Sequence, residues 1–378
     1  MQRQRSEYVD SVVAVAFAVS ALTGVPTRAA DYDLPPASST APPAIARPEP
    51  APAPGHSAKL GIAARYPHDV GIETDRAVVL TEDFEQATIA DLLAGWEYSS
   101  NSDRMFFTAD VPPGSAGTQS VFFDGSADLY TRLLPGYDRL YLRFYAKLEG
   151  ECTEVHHWPW LGGHNPSTAW PWPRAGLRPV GDERFSTGVE PFGTWWAWAF
   201  YTYWMEMRSN PAGGYWGNTF SGKPSPHTAV RDQWVCIELM VTMNDPVSSW
   251  NGEQAFWIDG ELKNHLGLGF PRGEWIWDGF WPNAGCTPSG PCDPNGSPIP
   301  CCTDFEGFRW RTVPELDINY VWLEHYVDSD PSCGVWFDDL VIATEYIGPI
   351  TDDLFSDDFE TGTAQAWSSV VGGNRLLD

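Results

Sequence analysis

The sequence predicts an all-β protein, a sandwich or a barrel, on three observations. Short apolar runs recur from about Arg76 to Pro349, each bounded by Gly, Pro, Asn or Asp, the pattern of many strands joined by turns. No long amphipathic helix interrupts them, and Thr88–Ala94 suits one short helix. The most aromatic run, Thr194–Arg208 (TWWAWAFYTYWMEMR), is too short to cross a membrane, and its aromatic content favours a strand.

In chain order, Met1–Ala30 has the layout of an export signal. Arg3 and Arg5 form a basic start, Val12–Val25 (VVAVAFAVSALTGV) an apolar middle, and Thr27–Ala30 a small-residue exit. Glu7, Asp10 and Arg28 depart from the ideal pattern, and a short membrane anchor is the alternative. Asp31–Ser57 is dense in Pro and Ala and cannot build a core, so a disordered linker is expected over residues 31–75. Leader and spacer together point to a secreted, periplasmic or cell-surface protein.

Residues 76–350 are expected to form one domain. Its strand candidates are Ser120–Asp124, Arg139–Leu148, Trp195–Arg208, Trp234–Asn244, Glu253–Ile258, Tyr320–Tyr326 and Gly334–Thr344. In Arg139–Leu148 (RLYLRFYAKL), Leu140, Leu142, Phe144 and Ala146 alternate with charged or tyrosine positions, so these four should share one side. Long, ordered loops are expected at His156–Val189 and Gly267–Thr312. In the tail (351–378), Phe355–Trp367 resembles Leu80–Trp96 but is too short to complete a second domain.

Seven cysteines stand at positions 152, 236, 286, 292, 301, 302 and 333. Four crowd the Gly- and Pro-rich stretch Cys286–Cys302, which reads as disulfide-stapled in an exported protein. Their spacing, Cys-x5-Cys-x8-Cys-Cys, fits no common zinc pattern. An odd count leaves at least one thiol free in an oxidised monomer, the expected state.

Fifty acidic residues against 23 basic ones give a formal net charge of −27. This argues against nucleic acid and against an anionic membrane surface as partners. The 20 tryptophans suit a surface that stacks sugar rings, and equally a large sandwich core. With period two, Trp196, Trp198, Phe200, Thr202, Trp204, Glu206 and Arg208 share one face of the aromatic run. That face begins apolar and ends in an acid and a base, as a carbohydrate groove would. Trp196, Trp198, Trp204 and Glu206, with Trp158 and Trp160 of the preceding loop, are the candidate sugar-binding residues. Burial of both faces between two layers is the alternative.

Five blocks follow in order: Asp83-Phe84-Glu85; Tyr141–Leu148 (YLRFYAKL); Phe200–Arg208 (FYTYWMEMR) with a Gly-rich turn and Tyr215; Trp234–Asn244 (WVCIELMVTMN) with Gly252 and Trp257–Gly260 (WIDG); and Trp336–Ile342 (WFDDLVI). Together they resemble the concanavalin A-like jelly-roll polysaccharide lyases, the group that includes alginate and glucuronan lyases. The resemblance implies a concanavalin A-like jelly-roll β-sandwich and β-elimination on a uronate-containing polysaccharide. A non-catalytic carbohydrate-binding or envelope module of the same fold is the alternative. Those lyases carry a GGKxPG segment before the central strand; here VHHWPWLGGHNPSTAWPW runs from Val155 and holds no lysine.

β-Elimination needs a cation to neutralise the uronate carboxylate, a base for the C5 proton and an acid for the leaving oxygen. Arg208 is the candidate neutraliser, since its fork matches a carboxylate. Tyr203 and Tyr215 are candidates for acid or base, and His156, His157 and His164 for base. Structural alternatives are pairing of Arg208 with Glu206 and capping of a loop by the histidines. Hydrolysis would need two carboxylates across the sugar, and no strand reads E-x-D-x-E. First and last strands lie side by side in such jelly rolls. A structural calcium is therefore expected at Glu82, Glu85, Asp338 and Asp339, with no other cofactor.

Overall fold

The computed structural model describes residues 61–172, 174–193, 196–221, 228–287, 301–327 and 333–351. The expected leader, the spacer up to residue 60, Cys292 and the tail beyond Thr351 lie outside the described residues. In chain order the strands are β1 (Val78–Glu82), β2 (Tyr98–Ser100), β3 (Met105–Thr108), β4 (Ser120–Phe123), β5 (Ala127–Tyr137), β6 (Arg139–Leu148), β7 (Trp160–His164), β8 (Arg184–Phe192) and β9 (Ala197–Tyr203). They continue as β10 (Asn218–Ser221), β11 (Val235–Thr242), β12 (Glu253–Ile258), β13 (Glu261–Leu266), β14 (Arg272–Ile276), β15 (Gly279–Pro282), β16 (Cys301–Asp304), β17 (Ile318–His325) and β18 (Val335–Ala343). The expected short helix is α1 (Ile89–Ala94), whose N-cap Thr88 side chain accepts from the Asp91 backbone N–H.

Two sheets pack face to face as an all-β jelly-roll sandwich. Sheet I runs β13-β12-β11-β6-β18-β4-β3, with β1 also on β18. Sheet II runs β16-β14-β15-β10-β9-β8-β7-β17-β5-β2. The pairing is antiparallel except between β10 and β15. Alternation in β6 works as expected: Leu140, Leu142, Phe144 and Ala146 are fully buried in the core. From sheet II, Leu161, Phe185, Phe200, Val321 and Leu323 meet them in the same cluster. Removing such rings and branched chains from water is the main stabilising term of a sandwich.

The two stretches expected as loops contain five strands between them, one of which runs past the margin. β7 and most of β8 lie within residues 156–189, and β14, β15 and β16 within residues 267–312. Glycine hid β7 and β8 from a reading based on β-branched runs. A Cβ at Gly162 would strike the Tyr320 hydroxyl, and one at Gly188 would press on Trp160 and the Pro159 carbonyl. Those glycines are needed because large rings lie over the backbone there.

The ordered domain also begins earlier than residue 76. Residues 61–75 form three short 3-10 turns, and Ile62, Ala63 and Ile72 pack on Val341, Ala343 and Ile347. Beneath this strap, the buried Arg143 pairs with Asp69 and donates to the carbonyls of Asp339 and Gly348. The chain after β18 is held there too, because the Glu238 carboxylate accepts from the Ile347 and Gly348 N–H groups, both at 2.8 Å. Disulfides join Cys152 to Cys333 and Cys286 to Cys302. Cys236 is a free, buried thiol, in line with the odd count.

Candidate active site on sheet II

β9 decides which face is which. Its Thr202 hydroxyl lies 2.8 Å from that of Thr187 and 3.4 Å from the side chain of Gln254 on sheet I. Thr202 therefore points between the sheets, and Trp198, Phe200 and the following Trp204 point with it. Trp204 is fully buried and Trp198 nearly so. Trp158 is wedged among Phe144, Trp198 and Phe337. These three tryptophans are core, not a stacking platform, because no ring face reaches solvent. Trp196 sits just before β9 with a left-handed φ of 56° and the Arg231 guanidinium over its ring.

The opposite face of β9 carries Ala199, Tyr201 and Tyr203. Register then builds the outer face of sheet II. Tyr203 pairs with Ser186 and Tyr201 with Gly188; Gly188 pairs with Trp160, and Arg184 with His164. Trp160 pairs in turn with Trp322, and Gly162 with Tyr320. The face thus gathers Tyr201, Tyr203, Arg184, Glu190, Trp160, His164, Tyr320, Trp322 and Glu324.

One half of this face is a histidine between acids. His157 Nδ1 lies 3.4 Å from Glu190 Oε2, and its ring packs on Tyr201 and Tyr326. The Trp160 indole donates to Glu324 Oε2 at 2.6 Å. Burial pushes the carboxyls of Glu190 and Glu324 well above the usual range and the His157 imidazole down to about 3. Burial thus disfavours the charged form of all three, and the imidazole is neutral near pH 7, so His157 and Glu190 meet as a hydrogen-bonding pair more than as an ion pair.

The other half joins a cation, phenols and an imidazole. The Arg184 guanidinium carbon is 5.9 Å from the Tyr203 ring centroid. His164 stacks on Tyr320 with centroids 4.8 Å apart. Burial, with Arg184 adding to it, lowers His164 to about 4. Burial raises the Tyr203 phenol; a hydrogen bond with Tyr201 and the charge of Arg184 oppose that rise. The loop 165–183 covers this half. Tyr130 donates its hydroxyl proton to the Thr168 carbonyl, Arg184 donates to the Leu177 carbonyl, and Trp172 packs on His164.

Tyr215 lies on the neighbouring loop, where it bridges Gly176 of the covering loop and takes the Arg178 guanidinium over its ring. His156 is exposed, with its ring against His157 and Tyr326. Of the expected catalytic set, then, Tyr203, His157 and His164 share the face. Arg208 does not join them. It lies over the buried Trp275 ring at 4.0 Å and pairs with Glu306 at 3.2 Å. Its expected partner Glu206 accepts instead from the Trp250 indole. The chain leaves the strand after Tyr203, so period two no longer places Arg208.

Two of the four carboxylates expected to hold calcium are engaged by protein groups. Glu82 is occupied by Phe84, Gln86 and Trp96, and Glu85 by Thr118 and Gln119. Asp338 and Asp339 are adjacent and buried, and each keeps an Oδ2 atom without a partner. No three His, Cys, Asp or Glu side chains gather in metal-binding range among the described residues.

No family model and no curated protein matches this chain. Solved structures do. They include two alginate lyases. Alginate lyase Aly36B aligns with a TM-score of 0.41 at 10% identity, covering 71% of this chain and 98% of that one. Alginate lyase vAL-1 from Chlorella virus aligns with a TM-score of 0.40 at 12% identity, covering 71% and 99%. The cellulose induced protein Cip1 aligns with a TM-score of 0.33 at 15% identity, covering 71% and 99%.

Sequence reasoning missed Arg184, Glu190, Tyr201, Tyr320 and Glu324. A signal existed for three of them: Tyr201 shares a face with Tyr203 by period two. Tyr320, Trp322 and Glu324 alternate along a recognised strand candidate, which puts an acid beside two rings on one face. Arg184 and Glu190 carry no such signal, because Gly188 and Pro191 break the strand pattern of β8.

Proposed function

We propose that this is an extracytoplasmic polysaccharide lyase that cleaves a uronate-containing polymer by β-elimination on the outer face of sheet II. The observation that supports the reading is the placement of Tyr203 beside Arg184, with His164 on the next strand. Arg184 takes the place given to Arg208 by the sequence: its guanidinium neutralises the uronate carboxylate and stabilises the enediolate that forms as C5 loses its proton. His164 accepts that proton. Tyr203, whose phenol stays protonated, gives its proton to the leaving glycosidic oxygen as the C4–O bond breaks and the C4–C5 double bond forms. Glu190 and Glu324, on which burial disfavours charge, offer hydrogen bonds to sugar oxygens with less repulsion of an anionic polymer.

Substrate reaches this half only when the loop 165–183 moves aside. Its displacement also hydrates His164, which relieves the burial that lowers the imidazole and makes it a stronger base. Two disulfides support an oxidising compartment, and no helix among the described residues is long and apolar enough to cross a membrane. A structural calcium stays in the proposal only at Asp338 and Asp339, whose unpartnered buried oxygens suit a hard cation. It supplies no catalytic step.

One observation favours a second reading. Glu190 and Glu324 flank β7, two strand spacings or roughly 9.6 Å apart along the sheet, and both have raised pKa values. Paired carboxyls of this kind suit hydrolysis with inversion. Parallel assays separate the two. Incubation with a panel of polyuronates should raise ultraviolet absorbance, through the unsaturated product, in step with new reducing ends. Reducing ends without absorbance, abolished by Glu190→Gln, would establish hydrolysis instead. Neither signal on any polymer would sink both readings and leave a binding module.

A further inference from the structure

A second feature lies beyond the end of β9, away from the paired acids. A hollow of about 530 Å³ is lined by Ser248, Ser249, Trp250, Asn251, Leu268 and Glu306. It is built by the β11–β12 connection, the β13–β14 connection and the chain after β16. Trp250 is 39% exposed and Leu268 59%, so the hollow offers an indole and an aliphatic wall to solvent. Around them stand two hydroxyls, an amide and a carboxylate.

The indole is held in place. Its Nε1 donates to Glu206 Oε2 at 2.6 Å, and the Arg309 guanidinium lies 5.2 Å from the ring centroid. Arg309 is itself fixed by donation to the Val247 carbonyl at 2.9 Å. Asn251 is fixed by donation to the Asp245 carbonyl at 2.7 Å. A large aromatic side chain that is exposed and rigid loses little conformational entropy when a ligand covers it. A flat apolar ring with hydroxyl, amide and carboxylate groups around it matches the two faces and the equatorial hydroxyls of a sugar.

The charges select among sugars. Glu206 touches the indole and Glu306 lines the hollow, and each is matched by an arginine, Arg309 over the same indole and Arg208 on Glu306, so the hollow offers a ring bearing its own carboxylate no net positive charge. Arg208 is engaged by Glu306 and by the Trp275 ring. We propose that this hollow is a second carbohydrate site, taking a neutral sugar ring stacked on Trp250, with hydroxyls bonded to Ser248, Ser249, Asn251 and Glu306. It is built from other connections than the sheet II face, and without a net positive charge it favours a neutral ring. The protein would then hold a neutral glycan at one place and cut an acidic one at another.

Affinity electrophoresis through gels containing neutral β-glucan, mannan or xylan, or a polyuronate, tests this. Four proteins are compared: wild type, Trp250→Ala, Leu268→Trp, which fills the hollow and leaves Trp250 in place, and Tyr203→Phe. At least one neutral polymer should retard the wild type and the Tyr203 variant alike. Trp250→Ala and Leu268→Trp should each weaken that retardation at least tenfold while keeping the wild-type melting profile. If Trp250→Ala fails to fold, Leu268→Trp alone decides. The inference is overturned if no neutral polymer retards the wild type, if retardation survives filling of the hollow, or if Tyr203→Phe abolishes it. The lyase reading stands or falls separately, on product formed from polyuronates.

Discussion

Arg184 and Tyr203 meet across adjacent strands β8 and β9, guanidinium carbon to ring centroid 5.9 Å, whereas Arg208, five residues past Tyr203, turns away onto Trp275 and Glu306. Proximity along the chain and proximity in the fold thus name different arginines for the same task.

That difference is measurable. Arg184→Lys keeps the charge and loses the fork, and should lower the rate of unsaturated product formation by roughly 10²-fold or more. Tyr203→Phe should do the same. Arg208→Ala should leave the rate within a few-fold and cost about 1 kcal/mol of stability, through its lost stacking and a partly exposed ion pair. Loss of activity in Arg208→Ala with wild-type stability would return the role to that residue.

Trp198 and Trp204 should behave as core. Replacing either by Ala should cost about 3–5 kcal/mol, read from urea unfolding midpoints, with glycan retention unchanged in whatever remains folded. A variant that folds as well as wild type but no longer binds polymer would put these rings back on a ligand surface.

Stability should fall as pH rises through neutrality, in part through Glu238. Burial lifts its carboxyl to about 7, above its unfolded value of about 4.3. The folded state therefore holds the proton more tightly. The resulting stabilisation is complete below the unfolded value and disappears as pH climbs through about 7. Between about pH 5 and 8 the melting temperature of the wild type should drop relative to that of Glu238→Gln. Parallel pH profiles for the two proteins would contradict the assignment.

Calcium should raise the melting temperature over a chelator-treated sample, as any ligand selective for the folded state does. The increment should vanish in Asp338→Asn. An equal melting temperature with and without the ion would remove calcium from the account.

Much of the sandwich was legible because its signal is local. The β6 alternation, the Thr88 cap and the turn residues around β11, β12 and β18 are properties of neighbouring residues. The site was legible in residue type more than in membership. Tyr203, His157, His164 and Trp160 do lie on the sheet II face, yet Trp158, Trp198 and Trp204 are core. Period two states which residues share a face and never which face is buried.

By itself the sequence determined an all-β chain, its strand alternation, its cysteine-rich segment and its aromatic central run, since each rests on periodicity, composition or spacing. The tertiary structure alone decided that Thr202 reaches across to Gln254, and so that Tyr201 and Tyr203 face outward. It also decided that Arg184, Glu190 and Glu324 stand beside them. Those residues are brought together by strand register between segments far apart in the chain. The glycines that let Tyr320 and Trp160 lie over the backbone are the same ones that disguised their strands as loops.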